Sequence, residues 1–425
     1  MKYSIKYIID KAKSPTSSYI IVNIIVSSVG FLRSFIFMRW LGLEELGLIS
    51  LAQTVMQFIS LFQIGLINGG YRLFSLNKVD DQRKINNLLF SFFFMLLGVF
   101  LFAWLVIVMT GHQVIMSNDL LLVSILCGVL MLSSNWLNNT LIGKQKFAEI
   151  NKINLSSIVF SVACLLSVTI IGFWGAVLAI VIQPFVFVFL TLLRNMDLRP
   201  DAFYFDMKLV KYILSFGFIP FIAGIFTMLN LQIERWSIAG VLGEEALGRF
   251  YLVFLYQSLF LLVPTSIQSV FFPRAVRTFD EGDMTTFKSI IKKQTFSMVA
   301  YDVFILVITA LFFEPTIKLL FPLHIENTIY VYYFIPGLLA MSFVEVTGLI
   351  LMASVRLRPI LIGGITNLTV NIAVVGILIY LNEMSLIKMA ELKSLLLIIP
   401  FAIQLGYLLF NWKTLREGYA QKVAH

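Results

Sequence analysis

Long apolar runs alternate with short polar segments along almost the whole of this 425-residue chain. Twelve of these runs approach or exceed the roughly 20 residues that a helix needs to cross the hydrocarbon core of a bilayer. They cover residues 19–40, 46–68, 88–109, 120–142, 153–172, 174–193, 213–240, 247–271, 295–313, 329–354, 360–381 and 395–410. The pattern therefore predicts an all-α membrane protein with twelve transmembrane helices.

The composition supports this prediction and excludes most other classes of protein. Hydrophobic residues make up 59% of the chain and charged residues only 13%, which is too few to cover soluble domains with polar side chains. No polar segment is long enough to hold a soluble catalytic domain, and the sequence has no metal-ligand spacing, nucleophile elbow or glycine-rich phosphate loop. We expect no enzyme activity, no metal and no cofactor.

The positive charge of the chain is explained by topology. Most of the 32 Lys and Arg residues fall in alternate polar segments, counted with the N-terminus on the cytoplasmic side. Cytoplasmic loops of membrane proteins carry this excess of basic residues. We therefore predict that both termini are cytoplasmic, and the net charge of +9 does not indicate nucleic-acid binding.

The chain contains an internal repeat at an offset of 201 residues. It aligns Leu41–Gly47 (LGLEELG) with Leu242–Gly248 (LGEEALG), two turns on the predicted outer side. An even number of helices in each unit gives parallel repeats, and such repeats place a substrate path at their interface. The repeat predicts two pseudo-symmetric six-helix lobes around a central cleft.

The lobes are expected at residues 1–193 and 213–425, joined by a cytoplasmic linker at 194–212. Within the linker, an amphipathic pattern over residues 203–211 predicts a helix on the membrane surface. A solvated charged loop explains the same pattern equally well.

Arg33 lies well inside the first apolar run. A cation at mid-membrane costs roughly 2.5–3.5 kcal/mol on insertion scales, and such residues usually face a cavity on a ligand or ion pathway. The repeat aligns Arg33 with Glu234, and Arg235 follows. Because guanidinium groups bind phosphate oxygens through forked donors, we predict that Arg33, Arg235 and Glu234 line a substrate site. The alternatives are an ion pair between Arg33 and Glu234, or snorkelling of Arg33 to the interface.

Other polar residues of the spans are weaker candidates. Arg39 either rims the entrance or caps the turn after the first helix, and Gln57 and Asn68 bind sugar hydroxyls or link helices. Asp302 and Glu345 lie in apolar runs, where an acid suits proton or sodium coupling, although a static salt bridge or hydrogen bond explains them as well.

Two motifs carry a family resemblance. The segment Arg39–Leu48 (RWLGLEELGL) resembles the arginine, Leu-Gly, acidic, Gly signature of the Wzx-type polysaccharide or O-antigen flippases. These belong to the multidrug/oligosaccharidyl-lipid/polysaccharide exporter superfamily. Gly30–Arg33 (GFLR) is similar to the motif that carries a substrate-binding arginine in the related lipid II flippases, and only Arg33 inherits that role. Ser34 stands where those flippases have Asp, which argues against a lipid II substrate.

The resemblance implies a V-shaped exporter with a cationic cavity in the bacterial cytoplasmic (inner) membrane. It implies alternating access that flips an undecaprenyl-pyrophosphate-linked oligosaccharide from the cytoplasmic to the outer leaflet. Expected partners are this glycan, membrane lipids, a coupling proton or sodium ion, and the glycan polymerase machinery.

Two other functions remain open at this point. A cation-coupled multidrug antiporter of the same superfamily would favour carboxylates or aromatics in its cavity, which Arg33 and Arg235 argue against. A membrane-embedded glycan polymerase or ligase would need a sizeable outer loop, and the predicted outer loops are short.

Overall fold

A computed structural model describes residues 15–75, 79–111, 116–144, 146–354 and 356–423, and within these ranges the secondary structure is entirely helical. The first part of the chain forms α1 (Pro15–Trp40), α2 (Leu43–Ile59), α3 (Leu66–Ser75), α4 (Val79–Thr110), α5 (Asn118–Gly143), α6 (Phe147–Leu165), α7 (Ser167–Ile171) and α8 (Phe173–Arg194). Short 3-10 helices at Ser60–Gln63 and Met196–Leu198 follow α2 and α8.

The second part forms α9 (Met207–Leu242), α10 (Glu244–Glu281), α11 (Met284–Ile308), α12 (Glu314–Leu320), α13 (Thr328–Ala353), α14 (Arg358–Tyr380) and α15 (Leu386–Val423). A π-helical turn at Thr309–Phe313 joins α11 to α12, and a 3-10 helix at Pro322–Asn327 precedes α13.

The predicted spans coincide with these helices. Among the residues that the structure describes, ten helical segments are long and apolar enough to cross a membrane. The other two predicted spans, residues 19–40 and 213–240, coincide with α1 and α9, each of which includes residues outside that search. The all-helical, multi-pass prediction is confirmed.

The chain divides into two compact units, Met1–Ile225 and Phe226–His425, and the division falls inside α9. In the N-terminal unit, α1 packs against α6, α2 against α5, and α6 against α8. In the C-terminal unit, α13 packs against α10 and α15, and α14 packs against α15. The core of the latter includes Phe287, Leu349 and Leu408.

The two repeated motifs both form tight turns between helices. α1 ends at Trp40 and α2 begins at Leu43, with the Gly42 amide donating to Glu45 Oε2 at 2.9 Å. Gly243 separates α9 from α10 in the corresponding place. It has φ +90°, a backbone conformation that favours glycine, so the second turn needs its glycine more strictly than the first.

The linker differs from the predicted surface helix. Residues 203–206 are not helical, and α9 begins only at Met207. The segment is instead held against α4, because Tyr204 N donates to Ser91 Oγ at 2.8 Å and Asn86 Nδ2 donates to the Leu198 carbonyl at 2.9 Å. These side chains supply backbone hydrogen bonds that a helix would otherwise provide.

Candidate functional site

Four helices of the N-terminal unit enclose a polar cavity of about 310 Å³. Helices α1, α5, α6 and α8 contribute its walls. The lining residues are Val26, Arg33, Met131, Ser134, Asn135, Asn138, Asn154, Ser157, Ile180, Gln183, Pro184 and Phe187. The cavity therefore combines one guanidinium group with amides and hydroxyls inside an apolar bundle.

Helical spacing explains why these side chains converge. On α5 the lining residues are 131, 134, 135 and 138, and on α8 they are 180, 183, 184 and 187. Residues three, four and seven positions apart share one face of an α-helix. Each helix thus turns a mixed polar face inward while its other faces pack against neighbours or remain apolar.

Arg33 is partly buried, and its Nη1 donates to Gln183 Oε1 at 3.3 Å. The side-chain amides of Asn135, Asn138 and Asn154 make no hydrogen bonds to the parts of the protein that the structure describes. None of the described lining residues is a carboxylate. The cavity is therefore positively charged and keeps free amide donors and acceptors.

Pro184 changes the backbone hydrogen bonding of this wall. It lies inside α8, where a proline has no N–H to donate to the carbonyl four residues earlier. That carbonyl belongs to Ile180, which also lines the cavity. The helix therefore lacks its usual donor to this carbonyl beside the cavity.

The remaining candidates of the N-terminal unit lie elsewhere. Arg39 is exposed in the last turn of α1, Gln57 is partly buried on α2, and Asn68 is partly buried on α3. The described lining of the Arg33 cavity includes none of these three. Their predicted roles in substrate binding therefore receive no support from this cavity.

In the C-terminal unit, Glu234 on α9 forms a buried ion pair with Lys393 on α15. Their side chains are only 5% and 2% exposed. The alternative of an ion pair between Arg33 and Glu234 is not what the structure shows, because Glu234 pairs with Lys393 of its own unit, a residue that the sequence analysis did not single out. Lys393 thus compensates the charge of the Glu234 carboxylate, which would be costly to bury unpaired.

Arg235, the next residue on α9, lies beside this pair. Its guanidinium carbon lies 4.8 Å from the centroid of the Phe254 ring, and Lys393 Nζ lies 5.1 Å from the same centroid. Asn371 on α14 donates to Asn230 Oδ1 at 3.0 Å one turn before Glu234. The structure thus brings Glu234 and Arg235 together with Lys393, as a charged cluster within an aromatic and amide environment.

The two predicted coupling acids lie at a single helix interface. Asp302 on α11 is buried, and its Oδ1 accepts a 2.8 Å hydrogen bond from Ser342 on α13. Glu345, one turn after Ser342, is partly buried, and its carbonyl accepts from Gln294 of α11 at 3.4 Å. Both the static hydrogen-bond role of Asp302 and its coupling role are compatible with this geometry.

Several site residues were not found from the sequence. Gln183, Asn135, Asn138 and Asn154 were passed over because single amides in apolar runs are common links between helices. The available signal was their spacing, since 134, 135 and 138 share a face of one helix. The sequence offered no comparable indication for Lys393, because a lysine close to the start of an apolar run is typical of the membrane interface.

Comparison of this structure with solved structures identifies its fold. A multidrug resistance MATE family transporter of the MOP superfamily, in an inward-facing conformation, aligns with a TM-score of 0.67 and 13% identity over 93% of this chain and 96% of that one. The lipid II flippase MurJ, in an inward closed conformation, has a TM-score of 0.67 and 13% identity over 92% and 87%. A MOP superfamily transporter from Pyrococcus furiosus has a TM-score of 0.53 and 13% identity over 95% and 97%. The protein therefore has the fold of MOP superfamily transporters.

The sequence profile of the polysaccharide biosynthesis protein family matches residues 36–323. The chain belongs to this family, and its resemblance to the Wzx-type polysaccharide exporters is confirmed. The matched region begins after Arg33, so the family assignment is independent of the cavity arginine. No curated protein sequence matches the chain significantly.

Proposed function

We propose that the protein flips an undecaprenyl-pyrophosphate-linked oligosaccharide from the cytoplasmic to the outer leaflet of the bacterial cytoplasmic membrane by alternating access. The family concerns polysaccharide biosynthesis, and the fold is that of transporters. Both termini are cytoplasmic in this proposal, and the lobes are residues 1–193 and 213–425, joined by the linker 194–212.

The observation that carries the proposal is the pairing of Arg33 with a carboxylate-free wall of amides and hydroxyls. A guanidinium group cannot lose its charge at accessible pH and binds phosphate oxygens through two parallel hydrogen bonds. Amides bind sugar hydroxyls as both donors and acceptors. The cavity thus has the two kinds of group that a pyrophosphate-linked sugar requires, with the lipid chain left to the bilayer.

The cation-coupled multidrug antiporter is the competing function, since the MATE transporter and MurJ match this fold equally well. The charge of the cavity favours the flippase, because a cationic drug would meet Arg33 with no lining carboxylate to offset it. Ethidium efflux by purified protein in vesicles, without movement of lipid-linked glycan, would establish the antiporter.

Asp302 and Glu345 are the acids that we propose for proton or sodium coupling, on the basis of their burial within the spans. Coupling predicts that an imposed proton or sodium gradient changes the rate of glycan transfer in vesicles. A rate that is the same with and without either gradient would remove this part of the proposal.

The flippase proposal is tested in cells by deletion and complementation. Deletion is expected to remove surface glycan and to accumulate lipid-linked units on the cytoplasmic side. Arg33→Ala is expected to fail to restore surface glycan. Arg33→Lys is expected to restore part of it, because lysine keeps the positive charge but lacks the paired donors of the guanidinium group. Arg277→Ala is the matched control, since Arg277 is an exposed arginine paired with Glu281 on its own helix. Full rescue by Arg33→Ala would contradict the role of Arg33 as the anion ligand, and unchanged surface glycan after deletion would contradict the flippase function itself.

A further inference from the structure

The charged cluster on α9 and α15 contains two cations and only one carboxylate among the described residues. Arg235 and Lys393 are both cations, while Glu234 is the only carboxylate that forms an ion pair with either of them among the described residues. Arg235 and Lys393 both face the Phe254 ring, so their like charges are close enough to repel. One positive charge is therefore left uncompensated inside the C-terminal unit.

The hydrogen-bonding state of Arg235 points the same way. Its Nε and Nη1 atoms are buried and have no hydrogen-bond partner in the described parts of the chain. Burying a donor without an acceptor costs the full free energy of its desolvation, and this cost is larger for a charged group. Arg235 as a whole residue is only partly buried, which leaves part of its surface accessible to a ligand.

The groups around the two cations do not supply the missing negative charge. Phe254 lies beneath both of them, and Phe334 lies 5.4 Å from Lys393 Nζ. The nearby Asn230 and Asn371 side chains are neutral amides that bind each other. Aromatic faces favour the cations modestly, but they also exclude water and so strengthen any interaction with an anion.

We propose that Arg235 and Lys393 form a second oxyanion site, separate from the Arg33 cavity, that binds a phosphoryl or carboxylate group. Glu234 is the resident anion of this site, and it holds Lys393 while the site is empty. The inference rests on the proposed function only for the origin of the anion, which is either the pyrophosphate of the lipid carrier or the carboxylate of an acidic sugar.

The test is calorimetric titration of the purified full chain in detergent, with inorganic pyrophosphate and glucuronate as separate probes. All variants carry Arg33→Gln, so that the N-terminal cavity contributes little to binding. Adding Arg235→Gln is expected to weaken pyrophosphate binding about tenfold or more, because charge-assisted hydrogen bonds are lost. Adding Glu234→Gln is expected to tighten binding several-fold, because the competing carboxylate is gone. Arg277→Gln is the control for loss of an arginine charge at the surface.

A purely structural ion pair predicts a different pattern. In that case Glu234→Gln lowers thermal stability without tightening pyrophosphate binding, and this result would overturn the inference, as would unchanged affinity in Arg235→Gln. The double variant Glu234→Gln with Lys393→Gln removes both charges of the pair, so it is expected to fold while binding pyrophosphate more weakly than Glu234→Gln alone. Affinity in the double variant equal to that of Glu234→Gln would also count against the site.

The two probes separate the sources of the anion. Preference for pyrophosphate supports the lipid carrier, and preference for glucuronate supports an acidic sugar. The outcome is also separable from that of the proposed function. Absence of glycan transfer by the unsubstituted protein would remove the function while leaving Arg235-dependent binding, whereas binding indifferent to Arg235 would remove the second site alone.

Discussion

Arg33 and Lys393 are both cations inside apolar helices, yet their neighbours differ. Arg33 donates to a neutral amide, Gln183, at the wall of a cavity, whereas the buried Lys393 pairs with a carboxylate and lies beside two aromatic rings. The carboxylate already paired with Lys393 competes with any other anion, whereas no described residue lining the Arg33 cavity is a carboxylate. At the scale of the residue, the Arg33 cavity is therefore the better place for an anion to enter.

Gln183 is predicted to orient Arg33 toward the ligand. Gln183→Leu removes the acceptor of the Arg33 Nη1 hydrogen bond and keeps a side chain of similar size. We expect glycan transfer to fall roughly tenfold or more without being abolished, since the charge remains and one hydrogen bond to a charged group contributes about 1.5–3 kcal/mol. The measurement is surface glycan in the complemented deletion strain, at matched levels of protein.

Gln257→Leu is the matched control, because Gln257 lies on α10 in the other unit. Transfer by Gln183→Leu equal to that of the unsubstituted protein would show that Arg33 needs no orienting partner.

At the scale of elements, α3 and α9 approach so closely that only glycine fits between them. A Cβ added at Gly217 would lie 2.0 Å from the Gly65 carbonyl oxygen, and one added at Gly69 would lie 2.1 Å from the Ile213 carbonyl oxygen. Both obstacles are backbone atoms, which cannot move aside as a flexible side chain does. The first part of α9 is thus fixed against the N-terminal unit by backbone contact.

Gly217→Ala is therefore expected to destabilise the protein, by roughly 1–3 kcal/mol as an overpacked contact. Gly98→Ala is the control, since a Cβ at Gly98 meets nothing within 4 Å and alanine has the higher helix propensity. Thermal unfolding in detergent distinguishes the two. Equal melting temperatures for both variants would show that the α3–α9 contact is not as tight as described.

The linker after α8 is held by polar contacts that depend on a carboxylate. Asp201 accepts from Asn87 Nδ2 at 2.6 Å and forms an ion pair with Arg83. The hydrogen bond from Asn87 and the charge of Arg83 hold the pKa of Asp201 below its usual value, against a smaller opposing effect of desolvation. Because the pKa is lowered in the folded state, the contact contributes fully above the ordinary Asp pKa of about 4 and is lost as pH falls below it.

Asp201→Asn is accordingly expected to loosen the linker at neutral pH, as acid does in the unsubstituted protein. The readout is hydrogen exchange at the Tyr204 amide, which donates to Ser91 Oγ in the docked linker, corrected for the intrinsic rate at each pH. Asp283→Asn is the control, since Asp283 caps α11 and Asn serves equally well as an N-cap. Protection of Tyr204 unchanged by Asp201→Asn and by acid would contradict the role of the carboxylate.

At the scale of the molecule, the sequence predicted the helices well and the site only in part. Helix positions followed from apolar length, because only helices satisfy their backbone groups within a membrane. Arg33 was singled out as a candidate because a charge inside an apolar run is costly, and it lines a cavity in the structure. The Glu234–Lys393 pair and the docking of the linker on α4 were missed, because each depends on which elements pack together, and single-sequence periodicity does not contain that information.

The central claim is that the chain moves a pyrophosphate-linked glycan and that Arg33 binds its anionic part. The most direct test is transfer of a lipid-linked oligosaccharide across vesicles that contain the purified protein, followed by access of a membrane-impermeant glycosidase to the glycan. We expect rapid transfer with the unsubstituted protein and with Arg277→Ala, slow transfer with Arg33→Lys, and background transfer with Arg33→Ala. Transfer by Arg33→Ala at the rate of the unsubstituted protein would contradict this claim.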